Sequence, residues 1–541
     1  MKKFLLFICV ILFFSVVSLF VAEKTDVFGF SSWDTQTSFD ERDGKLTLHW
    51  KRLPYPCLYK VESFSQTTGL VPGSPKKHLL TSSYTLSDSF SVPETAIPVS
   101  YRVTAYGIFG RIAGPSKPIA NPDFASDPSE SAPVSIFHYT EENPASLMPF
   151  LVWHMVPGAV CYEVELLAAP PAQEGGTKLD PSANHLESTH AIFTNGWQAD
   201  LRPYRDRWSV WYRVRALNLH LEPIGGFSQA EEIHLDPARQ APNRPMLNNF
   251  DQMPDFEQPL YPVYHWIPLH NIEHYEVELL TENPAEEHGT KPSPERVWYK
   301  TVHSAMVCYD EYPRPYAGDY YWRVRAVDRS GNTIGTWSDT EHFVVASHAK
   351  RVRAAALGDS ITHGGGAVSN PPSALEYSYT TYLDFPCINL GRSGDTSHTT
   401  SLRFDQDVLP FQPENLLILT GSNSLRADTM TAESIIHDLE SIQKKCEAND
   451  IRPIFLTLMP IHPDNIRYAF HTDTDPMWPE KLKTVNAWIK QQKYHIDLEP
   501  YFYDSMGTVM DPSFSSDGLH PDIRGKMLMA EIINAHQDLL K

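Results

Sequence analysis

Two hydrophobic rhythms divide the chain near Val345. Before it, short segments alternate apolar and polar residues, as in Tyr59-Lys-Val-Glu, Tyr101-Arg-Val-Thr-Ala105, Tyr162-Glu-Val-Glu and Tyr212-Arg-Val-Arg-Ala216. A period of two places one set of side chains in a core and turns the other, here Arg, Thr or Glu, toward water. After Val345 the apolar residues run on without alternation, at Ala354–Leu357, Leu416–Leu419 and Pro453–Leu458, each run ending at Gly, Thr or Met-Pro. Helical spacing appears between and after them, at 432–448, 478–492 and 522–540. Uninterrupted apolar strands alternating with helices predict a parallel sheet covered on both faces, with ligands bound beyond the carboxyl ends of its strands.

The alternating part is repetitive. Trp50 and Tyr59, Trp153 and Tyr162, and Trp266 and Tyr275 share one interval, and each pair is followed by a second signature ending at Ala105, Ala216 or Ala326. A Trp on one strand over a Tyr-x-Val strand fills the interior of a two-sheet sandwich, so Trp50, Trp153 and Trp266 are expected to be core. This order of strands resembles fibronectin type III modules, which implies three all-β sandwiches at 27–125, 126–238 and 239–347, serving as spacers or binding modules. Pro-rich joints at 118–133 and 235–245 read as semi-rigid linkers.

Lys2 and Lys3 precede an apolar run from Phe4 to Ala22. Positive residues before such a run form an export signal, and the run is also long enough to span a bilayer. Residues 1–22 are therefore a cleaved signal peptide or a single membrane anchor, and either places the rest outside the cytoplasm.

Composition narrows the field. Of 541 residues, 45 are Lys or Arg and 66 are Asp or Glu, a net charge of −21, the wrong sign for nucleic acid. The 44 prolines and 27 glycines suit β-sandwiches better than helical bundles. Six cysteines are scattered, one of them in the export segment, with no paired spacing, so neither a disulfide framework nor a thiolate metal site is expected.

Four blocks fall where the parallel sheet places ligands: Gly358-Asp-Ser360, Asn389-Leu-Gly391-Arg-Ser-Gly394-Asp395, Gly421-Ser-Asn423-Ser424 and Asp517-Gly-Leu-His520-Pro521. A serine hydroxyl needs a base to attack at neutral pH, and His520 can be that base with Asp517 fixing its tautomer. In this order the blocks resemble the SGNH (GDSL) hydrolase family, over residues 350–541. The resemblance implies an α/β/α, flavodoxin-like fold, catalysis by Ser360, Asp517 and His520, and an oxyanion hole from the N–H groups of Ser360 and Gly394 plus the Asn423 side chain. It implies no cofactor and no metal. Gly394 is preferred to Gly391 because Ser-Gly-Asp-Thr-Ser matches the family's second block. Ser424 stands where the family usually has Asp, which puts local loop support in question. Ser360 lacks the Gly-x-Ser-x-Gly elbow, which disfavours the α/β-hydrolase fold. His363 is read as a surface or loop histidine in preference to a substrate contact, His398 and His462 as non-catalytic, and Gly364–Gly366 as a loop without phosphate-binding company.

The sequence thus reads as an exported serine esterase acting on an acylated substrate. A polar rim at 363–370, with Tyr377, Tyr379, Tyr382 and Trp478 as stacking faces, points to short acyl groups on a glycan, although packed helix aromatics account for the same pattern. The alternatives are a lysophospholipase or thioesterase on longer chains, and an inactive surface scaffold.

Overall fold

The computed structural model describes residues 132–541 except 174, 251–257, 305, 348–350 and 368–369. Of the first 131 positions it describes 17–23, 25, 27, 37–42, 45–54, 57–68, 75–92, 99–109, 112–113 and 119–120. Most of the export segment and of the 118–133 joint lies outside the described residues. Among those described, no helix is long and apolar enough to cross a membrane. The chain falls into two compact units, Met1–Asp127 and Pro128–Lys541.

The first unit holds two antiparallel sheets, one formed by Thr37–Arg42, Lys45–Trp50 and Ser89–Ser91, the other built around Cys57–Thr68 and Val99–Gly107. Two such arrangements recur in the second unit. In one, Phe150–Val152 pairs with Gly196–Gln198, beside a four-stranded sheet centred on Cys161–Leu167 and Ser209–Leu217. In the other, a sheet of Met246–Leu247, Val263–Ile267 and Val307–Tyr309 accompanies one centred on His274–Leu280 and Gly318–Val327. The N-terminal part is β-rich in all three repeats.

The repeated residues do one job each time. Trp50, Trp153 and Trp266 are buried, with ring centroids 5.5, 5.3 and 5.2 Å from Tyr59, Tyr162 and Tyr275. Each tyrosine hydroxyl accepts the backbone N–H of Leu53, Val156 or Leu269 at 2.9 Å, closing a loop onto the core. Tyr59, Tyr162 and Tyr275 stand opposite Ala105, Ala216 and Ala326 in register.

The outward face differs from the expectation. Arg213 and Arg323 are only 1% exposed, and Thr104 is buried too. Arg213 donates to Glu165 at 2.6 Å and to the carbonyls of Gln173 and Lys178 at 3.0 Å, while Phe227 covers its guanidinium at 4.2 Å. Arg323 does the same with Glu278 at 2.8 Å beneath Trp337. In the second and third repeats, loop carbonyls thus cover Arg213 and Arg323 on the face that the alternation turns to water.

The joint at 235–245 is likewise packed. Gln198 of the second sandwich donates to Pro242 O at 3.0 Å, and Thr336 N of the third donates to Asn243 O at 3.4 Å. Phe150 and Val152 of the second sandwich enter the core of the third. These two repeats are therefore not spaced apart by a free linker. Of the five cysteines outside the apolar N-terminal run, Cys57, Cys161, Cys308 and Cys446 are buried.

The C-terminal domain is a five-stranded parallel sheet. Its strands are β1 (Ala354–Gly358), β2 (Ile388–Gly391), β3 (Asn415–Leu419), β4 (Arg452–Leu456) and β5 (His495–Ile496), in the spatial order β2-β1-β3-β4-β5. That is the flavodoxin-like order, whose switch point lies between β1 and β3. Around it lie α1 (Ser360–His363), α2 (Ser397–Leu402), α3 (Phe404–Asp407), α4 (Ser422–Arg426), α5 (Ala432–Ala448), α6 (Pro463–Phe470), α7 (Trp478–Ile489) and α8 (Ile523–Asn534). Strands β1 and β3 are wholly buried, which explains their unbroken apolar runs. Helix α5 begins at a capping box, Thr431 with Ser434.

Candidate active site

Three of the blocks lie at the carboxyl ends of β1, β2 and β3, and the fourth lies just before α8. Asp359, after β1, caps α1 by accepting the Ile361 N–H at 3.0 Å, so the helix start does not occupy Ser360. The Ser360 hydroxyl lies 2.8 Å from His520 Nε2, and His520 Nδ1 lies 2.8 Å from Asp517 Oδ2. Because a carboxylate only accepts, Nδ1 carries the proton and Nε2 is free to accept from serine.

Asp517 is fully buried. Burial alone would raise its carboxyl, but His520 and the backbone N–H groups of Leu519 and His520, both at 2.8 Å, hold it below the ordinary carboxylate value. It does not start α8, whose cap is Asp522. Beneath α1, burial pushes the Asp359 carboxyl up to about 6 and pulls Lys526 down to about 7. Lys526 Nζ donates to Ile361 O at 2.5 Å.

Gly394 and Asn423 lie at the adjoining strand ends. Gly394 is exposed with φ +86°, and a side chain there would meet open space. At Gly391, by contrast, a Cβ would come within 2.1 Å of His363 N, so that glycine lets α1 pack on β2. The Asn423 side chain donates to the Asp395 carbonyl at 2.9 Å, bringing the second and third blocks together. These positions predict opposite outcomes for two small substitutions. Gly394→Ala carries only backbone strain of about 1–2 kcal/mol and keeps most turnover, whereas Gly391→Ala separates α1 from β2 and loses activity. Melting midpoint and esterase turnover of the pair check this.

Ser424 answers the question its presence raised. Its hydroxyl accepts the Ser397 N–H at 3.0 Å, and Ser397 Oγ donates to Asp438 Oδ2 at 2.7 Å. The carboxylate that supports the loop thus comes from α5.

His398 reaches Asp438 at 3.2 Å, and His462 caps α6. His363 is neither a surface nor a loop side chain: it is 2% exposed, and burial lowers it to about 4. Segment 363–367 is largely buried rather than forming a rim, and Asn370 donates to Ala159 O of the second sandwich at 3.0 Å. Tyr377, Tyr379 and Trp478 are buried and Tyr382 is packed against the domain core, so none offers an open stacking face.

Sequence reasoning missed Phe470, whose ring lies 5.8 Å from that of His520, and Arg426, which sits 5.6 Å over Phe470. It also missed Leu260 and Tyr261, which are buried in the core of this domain. Two groups have metal-ligand spacing among the described residues, Glu273/His274/His303 and Glu287/His288/Asp339, and both belong to the third sandwich.

Residues 356–528 match the model of the GDSL-like lipase/acylhydrolase family. The C-terminal part of the chain is thus a GDSL/SGNH acylhydrolase domain, a family of ester hydrolases with acylated substrates. No curated protein matches the chain. Solved structures similar to it include a GDSL-like lipase from Bacteroides thetaiotaomicron, at 20% identity and TM-score 0.28, covering 34% of this chain and 87% of that one. A lipase/acylhydrolase from Enterococcus faecalis has 21% identity and TM-score 0.28, covering 35% and 95%. A catalytic mutant of an acetylxylan esterase from Geobacillus stearothermophilus has 17% identity and TM-score 0.27, covering 36% and 95%.

Proposed function

We propose that the protein is an exported serine esterase that removes short acyl groups, acetyl above all, from a glycan. The observation carrying the chemistry is the unbroken chain from Ser360 through His520 to Asp517. In this reading the Ser360 oxygen attacks the ester carbonyl while His520 Nε2 takes its proton, and Asp517 stabilises the imidazolium. The oxyanion is met by the N–H groups of Ser360 and Gly394 and by the Asn423 amide. His520 returns the proton to the leaving alcohol, and water then releases the acyl group from Ser360 by the same route.

Lys2, Lys3 and the apolar run to Ala22 support export. The sugar part of the reading is supported on the third sandwich, where exposed Tyr299, Tyr312 and Tyr316 surround a groove of about 770 Å³ floored by Trp298. Glu311, Arg314 and Gln406 also line it. Open aromatic rings beside hydrogen-bonding side chains suit the C–H faces and hydroxyls of a sugar.

A chain-length series of p-nitrophenyl esters tests the acyl preference. The expected result is a kcat/KM maximum at acetate, with acetate released from an acetylated polysaccharide. A maximum at eight carbons or more would favour a lysophospholipase or thioesterase, and no hydrolysis of any ester would leave a scaffold.

A further inference from the structure

The loop carrying Gly394 is held on both sides by chains of hydrogen bonds, and both chains end on one residue outside the hydrolase domain. On one side, Ser393 N donates to His363 Nδ1 at 3.1 Å, and the Ser393 hydroxyl lies 2.9 Å from the same nitrogen. His363 Nε2 lies 2.7 Å from the Tyr261 carbonyl oxygen. A carbonyl can only accept, so Nε2 carries the proton and Nδ1 presents its lone pair to Ser393. One imidazole tautomer joins the sandwich backbone to the loop.

On the other side, Arg403 Nε donates to Asp395 Oδ2 at 2.5 Å and its Nη1 to Asp407 Oδ2 at 2.6 Å. The Tyr261 hydroxyl donates to that same Asp407 oxygen at 2.8 Å. Arg403 also binds the carbonyls of Gly358 and Leu390, both at 2.7 Å, tying the network to the ends of β1 and β2. The guanidiniums of Arg392 and Arg403 lie 5.3 and 5.7 Å from the Tyr261 ring. Leu260 N donates to Asn389 O at 2.9 Å, fixing the segment against β2.

We propose that Tyr261, working through His363 and through Asp407–Arg403, is a positioning residue of the third sandwich that sets the oxyanion-binding loop Ser393–Asp395. The hydrolase domain is then incomplete without residues 260–261. The inference rests on the serine-esterase reading. Its physical basis is that oxyanion donors act only when aimed within a fraction of an ångström, and that misplacement by about 1 Å costs on the order of 10² in rate.

The test uses the full chain and two variants, His363→Gln and Tyr261→Phe. Gln keeps a donor for the Tyr261 carbonyl and loses the acceptor for Ser393; Phe keeps ring and carbonyl and loses the bond to Asp407. Active sites are counted by stoichiometric labelling of Ser360 with a p-nitrophenyl phosphonate, so misfolded protein does not enter kcat. On p-nitrophenyl acetate, kcat per labelled site is expected to fall on the order of 10²-fold for His363→Gln and about tenfold for Tyr261→Phe, with KM nearly unchanged. Combining His363→Gln with Asn423→Ala should cost less than the product of the single effects, since both act on one oxyanion hole. A purely structural role would lower the number of labelled sites and the melting midpoint but leave kcat per site at the wild-type value. That result in both variants overturns the inference while leaving the esterase reading intact. A wild-type chain that neither labels nor hydrolyses any ester overturns the esterase reading itself.

Discussion

Under the proposed mechanism, Ser360→Ala and His520→Ala are each expected to lower kcat on p-nitrophenyl acetate on the order of 10⁶-fold, with the double variant scarcely worse. The two side chains share one hydrogen bond at 2.8 Å, and a nucleophile without its base is as idle as a base without its nucleophile. Asp517→Asn is expected to be milder, on the order of 10⁴-fold, because in the proposed mechanism that carboxylate orients the imidazole and never holds the transferred proton. Asn423→Ala removes one of the three proposed oxyanion donors and is expected to cost on the order of 10²–10³. The measurement is steady-state turnover on protein whose melting midpoint matches wild type. Wild-type turnover in Ser360→Ala would end the proposed mechanism.

Arg213→Met costs about 3–5 kcal/mol of stability, read from denaturant unfolding of the full chain. The substitution leaves Glu165, fully buried, without the cation that offsets its desolvation. Glu165 keeps the backbone N–H of Asp180 at 2.7 Å and the His185 ring at 2.8 Å, neither of which supplies a permanent charge. A loss below about 1 kcal/mol would mean that the pair behaves like a surface ion pair, as the alternation along the strand suggests.

That pair marks where the sequence stopped being legible. Alternation placed Tyr162, Val164, Tyr212 and Val214 in a core, which the sandwich confirms, but its polar partners only appeared to face water. A period of two reports which side of a sheet a residue is on; it carries no information about a loop that later covers that side. The parallel sheet was easier, because β1 and β3 are apolar on both faces and need no assignment of sides. Strands β2 and β5 escaped notice: β2 contains a hydrogen-bonding Asn389, and β5 is two residues long.

The contact between Ser360, His520 and Asp517 was readable for a similar reason. Asp517 and His520 lie in one loop, so their contact is local, and Ser360 follows a strand whose end was visible. Tyr261 and His363 meet across 102 positions of sequence, and the tyrosine contributes a backbone oxygen there, which no residue type announces. The tyrosines after Ser360 allowed two readings, stacking faces or inward packing, and Tyr377 and Tyr379 follow the second, with hydroxyls inside the fold near Gly158 N at 3.3 Å and Thr362 Oγ1 at 3.4 Å.

Leu260 and Tyr261 leave the ribosome before any strand of the parallel sheet. Domains generally fold as units, N-terminal first, during synthesis, so the third sandwich can be finished while these two side chains still lack most of their burial partners. In the folded chain Leu260 and Tyr261 form an apolar corner against β2 and α1, which the sandwich by itself leaves uncovered. A chain cut short ahead of Ala354 keeps that corner open to water, and to the chaperones and proteases that bind exposed apolar surface. Quality control could thus recognise an unfinished hydrolase from the sandwich that precedes it.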